Sequence, residues 1–96
     1  MVTYAATEII AEFLIKADVR YFIGYPGLTI MELMDAIYDR QDQITPILVR
    51  HEETASFMAD GYFRASHEPI AVFAHTGPGA ANLLIGVAVH IAPVTV

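Results

Sequence analysis

Apolar positions along this chain switch repeatedly between helical spacing and short continuous runs. Ala6, Ile9, Ile10, Phe13, Leu14 and Ala17 recur three or four apart, with Glu8, Glu12 and Lys16 on the other face. That is the stripe of an amphipathic helix. Thr3 offers a cap and Asp18 a stop, so a helix is predicted from Thr3 to about Ala17. Val19 to Gly24 is β-branched and aromatic and reads as a strand, followed by a turn at Tyr25-Pro26-Gly27. Thr29 caps a second predicted helix to about Arg40, with Ile30, Leu33, Met34, Ile37 and Tyr38 facing inward. Ile44 to Val49 is a second strand and Glu52 to about Ser66 a third helix. After a loop at His67-Glu68-Pro69 come a strand at Ile70–Ala74, a tight turn at Thr76-Gly77-Pro78-Gly79 and a helix at Ala80–His90. Pro93 to Val96 begins another strand.

Strands alternating with helices predict an α/β fold: an open, mostly parallel sheet with helices on both faces. Crossovers should be right-handed. No repeat, low-complexity tract or linker divides the chain, so residues 1–96 are expected to form a single domain. It is expected to be a partial one, because a parallel sheet stopping at a strand leaves an unpaired edge.

Composition adds to this picture. Hydrophobic residues make up 55% of the 96, high for so short a chain, which suggests apolar surface meant for a partner. The net charge is −6, and the five basic residues are scattered. Neither nucleic acid nor an anionic membrane is therefore an expected partner. Cysteine is absent, which excludes a disulfide framework and thiolate metal sites. No secretory signal opens the sequence, and no apolar run reaches the roughly 20 residues of a membrane span. The expected location is cytoplasmic. No histidine pair has metal-ligand spacing, and no G-x-S-x-G presents a serine nucleophile. Met31, Met34 and Met58 read as core filler.

Chemistry concentrates at three strand ends: Gly24-Tyr25-Pro26-Gly27, His51-Glu52-Glu53, and His75-Thr76-Gly77-Pro78-Gly79-Ala80-Ala81-Asn82. A parallel sheet puts all three on one rim, where open α/β sheets bind ligands. Taken singly, each has a plain explanation. The glycines and prolines make tight connections, and acidic residues such as Glu52 and Glu53 suit a helix's first turn. The alternative makes Glu52 a partly buried carboxyl that shares a proton with a ligand nitrogen. His51 and His75 are candidate substrate contacts on the same rim. His67 reads as a surface loop residue and His90 as a cation at a helix end. Neither glycine-rich loop is a phosphate fingerprint.

Together, in this order and spacing, these loops resemble the N-terminal pyrimidine-binding domain of the thiamine-diphosphate enzymes. The resemblance is closest to the acetolactate synthase, pyruvate oxidase and benzoylformate decarboxylase superfamily. It rests on Phe22-Ile23-Gly24-Tyr25-Pro26-Gly27, on Arg50-His51-Glu52-Glu53-Thr54-Ala55 with Ala59-Asp60-Gly61-Tyr62-Phe63-Arg64-Ala65-Ser66, and on Thr76-Gly77-Pro78-Gly79-Ala80-Ala81-Asn82. The chain departs from the family pattern at Leu28, at His75-Thr76, at Phe63 and most of all over Ala88–Val96. A complete domain of this kind would be roughly 170 residues.

The resemblance implies a pyrimidine-binding part of a thiamine-diphosphate-dependent 2-oxo acid decarboxylase or carboligase, a lyase or transferase. Glu52 would be its catalytic residue, bonded to N1′ of the aminopyrimidine and promoting the imino form that activates the cofactor. A glutamate suits this role when apolar packing from residues such as Met58 holds its proton affinity near working pH. Tyr25, Pro26, Gly27, Thr76, Pro78 and Asn82 would line the cofactor site beside Glu52. No metal ligand is expected in this chain; the Mg2+ ligands would lie outside it, and FAD use is left open. The implied partner is a diphosphate-binding domain or subunit in a homo- or hetero-oligomer, so 96 residues alone are not expected to be active. Two rivals are a non-catalytic truncated subunit or interaction module that keeps only the fold, and an unrelated nucleotide-binding α/β domain.

Overall fold

A computed structural model describes residues 6–91. Helix α1 (Ala6–Lys16) leads to strand β1 (Tyr21–Gly24), and a 3-10 turn (Leu28–Ile30) runs directly into α2 (Met31–Tyr38). Then follow β2 (Thr45–Leu48), α3 (Glu52–Ser66), β3 (Ala71–Phe73) and α4 (Thr76–Ile91). The strands form a parallel sheet in the order β2-β1-β3. This is the expected α/β architecture.

β2 and β3 flank β1 on opposite sides, so right-handed crossovers send α2 and α3 to opposite faces. α1 packs on α2; α3 packs on α4 and touches β1 and β3. The main core lies on the α1–α2 face, around Phe22, Met34, Ile37, Ile44 and Phe73. Phe22 and Phe73 stack across neighbouring strands with ring centres 4.4 Å apart. On the other face, the buried residues of α3 are small or polar: Ala55, Ser56 and Asp60.

Several boundaries differ from the sequence pattern, each for a physical reason. Val19 is buried but precedes the strand, because its N–H closes the end of α1 on the Leu14 carbonyl at 3.0 Å, with Asp18 left-handed (φ 61°). Thr29 is not the cap of α2. It lies inside the 3-10 turn, and its polar groups are engaged elsewhere. The expected tight turn Thr76–Gly79 is instead the first turn of α4. Pro78 fits there because a helix's first N–H groups have no internal partner to lose. Thr3 and the strand expected from Pro93 lie outside the described residues.

The apolar stripe of α1 also turns the other way. Ala11 is buried with Leu14 and Ile15 packed beside it, whereas Ile9 and Phe13 are exposed (59% and 66%). Arg40 bridges α1 and α2 in this orientation, donating from Nε to Glu12 at 2.7 Å and from Nη1 to the Ala36 carbonyl. Of the three methionines read as core filler, Met34 is buried while Met31 and Met58 are exposed. Tyr38, expected inside, is exposed, and Ala36 takes the inner position. No helix among the described residues is long and apolar enough to cross a membrane.

Candidate functional site

The register of the sheet builds the rim. Gly24 pairs with Leu48 on one side and Phe73 on the other, so the three strands end level. Glycine is required at 24, because a Cβ there would strike the Phe73 carbonyl oxygen and lie 2.8 Å from its ring. The three loops singled out by sequence therefore leave the sheet side by side.

The first and third loops touch. A Cβ on Gly27 would collide with the His75 ring. His75 Nδ1 accepts the Thr29 N–H at 3.2 Å and the Thr29 hydroxyl at 2.6 Å. A ring nitrogen that accepts from a backbone N–H carries no proton, so the proton is assigned to Nε2. His75 thus ties down the Gly27–Thr29 turn, a role its loop position did not reveal.

The second and third loops meet at Glu52. His51 has extended backbone and caps α3, its Nδ1 accepting the Glu53 N–H at 3.1 Å. Glu52 becomes the first helical residue, half-buried, where the helix dipole favours its negative charge. Asn82 Nδ2 donates to Glu52 Oε1 over a long 3.4 Å. On the other oxygen, a Cβ at Gly79 would sit 3.0 Å from Oε2 and 3.3 Å from Ala74 Cβ. Oε2 can pack this close to α4 only because residue 79 has no side chain. Glu52 therefore has acceptor capacity to spare on a half-buried rim.

Tyr25 (exposed), Pro26 (half-buried), Thr76 and Pro78 (both exposed) stand on the same rim, and His51 is exposed beside them. Thr76 has left-handed backbone (φ 59°), an uncommon conformation for a β-branched residue. Such backbone is concentrated at binding sites. Met58 does not pack around Glu52. It lines a separate cavity with Tyr21, Ile23, Ile47, Tyr62 and Ile70.

Sequence reasoning missed one polar cluster away from the rim. The Asp60 side chain is 9% exposed, receives Arg64 Nε at 2.9 Å, and meets His90 Nδ1 at 2.7 Å. The Asp60–Arg64 spacing of four residues was the available signal, whereas the α4 partner was not visible in the pattern. The His90 hydrogen bond, helped by Arg64, holds the Asp60 carboxyl below the usual carboxylate value, although burial pushes the other way. A folded value below the unfolded one means stability that is present above about pH 4 and lost as the pH falls through the folded value. The gap in melting temperature between the parent and Asp60→Asn is therefore expected to shrink from pH 6 to pH 2.5. A gap of equal size at both ends would refute this.

Comparison with known proteins gives a consistent result. Residues 5–91 match the family model described as thiamine pyrophosphate enzyme, N-terminal TPP binding domain. The chain is 42% identical over 77 residues to the mitochondrial acetolactate synthase catalytic subunit of Aspergillus candidus, covering 80% of this chain and 11% of that protein. It is 43% identical over 82 residues to a probable acetolactate synthase large subunit of Methanocaldococcus jannaschii, covering 81% of this chain and 14% of that one. With the acetolactate synthase isozyme 3 large subunit of Escherichia coli it shares 38% over 84 residues, 88% of this chain and 14% of the relative. The chain thus spans a small fraction of the length of these relatives.

Proposed function

This chain belongs to the thiamine pyrophosphate enzymes as an N-terminal TPP-binding domain, and from that premise we propose that it forms the pyrimidine-binding part of an acetolactate-synthase-like enzyme acting on 2-oxo acids. The observation that carries the reading is the Glu52 carboxylate at the head of α3, half-buried on the strand-end rim and held by one long bond from Asn82. A non-catalytic module would have no need of a half-buried carboxylate left with one long hydrogen bond.

The residues present fit an aminopyrimidine ring. Its N1′ would need a carboxyl partner, and Glu52 at the head of α3 would supply one. Flat heterocycles need walls that approach closely, and Pro26, Gly27, Pro78 and the α4 first turn provide short backbone-lined ones. Tyr25 and Thr76 stand at the margins, and Asn82 steadies the carboxylate. Glu52 holds and returns the proton at N1′. His51 and His75 sit where an incoming substrate would pass, with His75 Nε2–H free of the Thr29 bonds. When bound, thiamine diphosphate supplies a carbon nucleophile and an electron sink for decarboxylation.

On this reading residues 1–96 are the N-terminal portion of the pyrimidine-binding domain. The diphosphate and its Mg2+ are held by a diphosphate-binding domain, in the same protein or in a second subunit of an oligomer. Exposed apolar side chains such as Leu28 (84%) and Leu84 (62%) offer surface for that contact. FAD use is not specified by these residues. The test is carbon dioxide release from a 2-oxo acid by a protein joining this chain to such a partner. Release is expected to require thiamine diphosphate, and release of equal rate without it would sink the proposal.

A further inference from the structure

α3 and α4 meet in three contacts with one spacing. Glu52 pairs with Asn82, and Asp60 with His90, each 30 residues apart. Between them Gly86 lies against Ser56, so closely that a Cβ would collide with the Ser56 side chain and sit 2.8 Å from its carbonyl carbon. The three contacts step four residues along each helix, on one face of each, so the helices run parallel.

Large apolar side chains do not set this register. The buried residues of α3 are Ala55, Ser56 and Asp60. On α4, Leu84, Ile85, Val87 and Val89 are all exposed. Apolar contact is also non-directional and tolerates a slide of one turn, about 5 Å. Gly86 permits close approach but does not select a partner. A directional, charge-assisted bond to a buried carboxylate does select one: Asp60 is 9% exposed, although His90 is 42% exposed.

We propose that Asp60 and His90 are positioning residues: they lock the axial register of α4 on α3 and so hold Asn82 at Glu52. Asp60 is fixed from its own helix by Arg64, so it presents one oxygen to α4 in a set direction. His90 is further held edge-on against Phe63, with ring centres 5.2 Å apart. Arg64 and His67 are the other charged or titratable side chains lining this surface with Asp60 and His90. Pro69, Ile70 and Val72 close the adjoining cavity with apolar groups. A slip of one helical turn would bring His90 opposite Ser56 and carry Asn82 away from Glu52.

The effect on catalysis rests on the function proposed above, but the lock itself does not. His90→Phe keeps a ring against Phe63 and removes the donor; His90→Gln keeps a donor. In the full chain without cofactor, His90→Phe is expected to shift the Asn82 side-chain amide resonances and to lose their nuclear Overhauser contacts with Glu52. His90→Gln is expected to restore both. Asp60→Asn, which keeps the shape but drops the charge, is expected to move the same resonances by less and guards against a phenylalanine variant that fails to fold. A folded His90→Phe with Asn82 signals like those of the parent overturns the proposal. Failure of the parent to bind thiamine diphosphate beside its partner would sink the functional reading and leave the lock standing.

Discussion

Glu52→Gln is expected to slow deuterium exchange at the reactive carbon of thiamine diphosphate by about 10²–10⁴-fold, the usual worth of a positioned proton-transfer group. The measurement is quenched-flow proton NMR on the enzyme assembled with its diphosphate-binding partner. Glutamine keeps the length, the planar head and one acceptor oxygen, so Asn82 still has something to donate to and the head still fits against Gly79. What is lost is the ability to hold and release a proton. The competing explanation for Glu52 is the helix dipole alone, which predicts a different pair of numbers. A first-turn carboxylate contributes about 0.3–1 kcal/mol to stability, so on that view melting falls slightly and exchange is untouched. Near-normal stability with collapsed exchange supports the cofactor role. Normal exchange removes Glu52 from it.

The rim position of Glu52 was legible in the sequence because it depends on backbone geometry that a parallel sheet imposes. Once Tyr21–Gly24, Thr45–Leu48 and Ala71–Phe73 are parallel, their following loops share a rim whatever the side chains do. Helix α3, expected from Glu52 to about Ser66, runs over those residues, although the His51 cap and the left-handed His67 that bound it were not visible in the pattern. Other features were hidden because they depend on contacts between distant residues. Thr29 has the chemistry of a cap, and only the approach of His75 diverts it. The face of α1 that meets the core, Ala11 with Leu14 and Ile15, is set by packing on α2, where Arg40 also reaches Glu12. His90 reads as a helix-end cation until Asp60 is seen opposite it. The single-residue pattern specifies elements well. It specifies tertiary partners poorly, because pairing energy belongs to two positions at once.

Gly86→Ala separates those two levels. In an isolated helix, alanine is favoured over glycine by about 1 kcal/mol, so local propensity predicts a more stable protein. The structure predicts the reverse. The new methyl would overlap Ser56 Oγ and lie 2.5 Å from Ser56 Cβ, with both residues buried. Relief requires α4 to move off α3, because the obstacle includes the Ser56 backbone as well as its hydroxyl. Overpacking of this kind costs about 1–3 kcal/mol, enough to outweigh the propensity gain. Net destabilisation by urea unfolding is the expected outcome, and it should be reduced in Gly86→Ala combined with Ser56→Gly, which removes the side chain in the way. The expected coupling between the two sites is about 0.5–3 kcal/mol. The substitution should reach the rim too. Residue 86 is one helical turn from Asn82, so a displaced α4 takes the Asn82 amide from Glu52 and weakens cofactor binding before the fold is lost. If Gly86→Ala were instead more stable than the parent, α3 and α4 would not be in the close parallel contact on which the site depends.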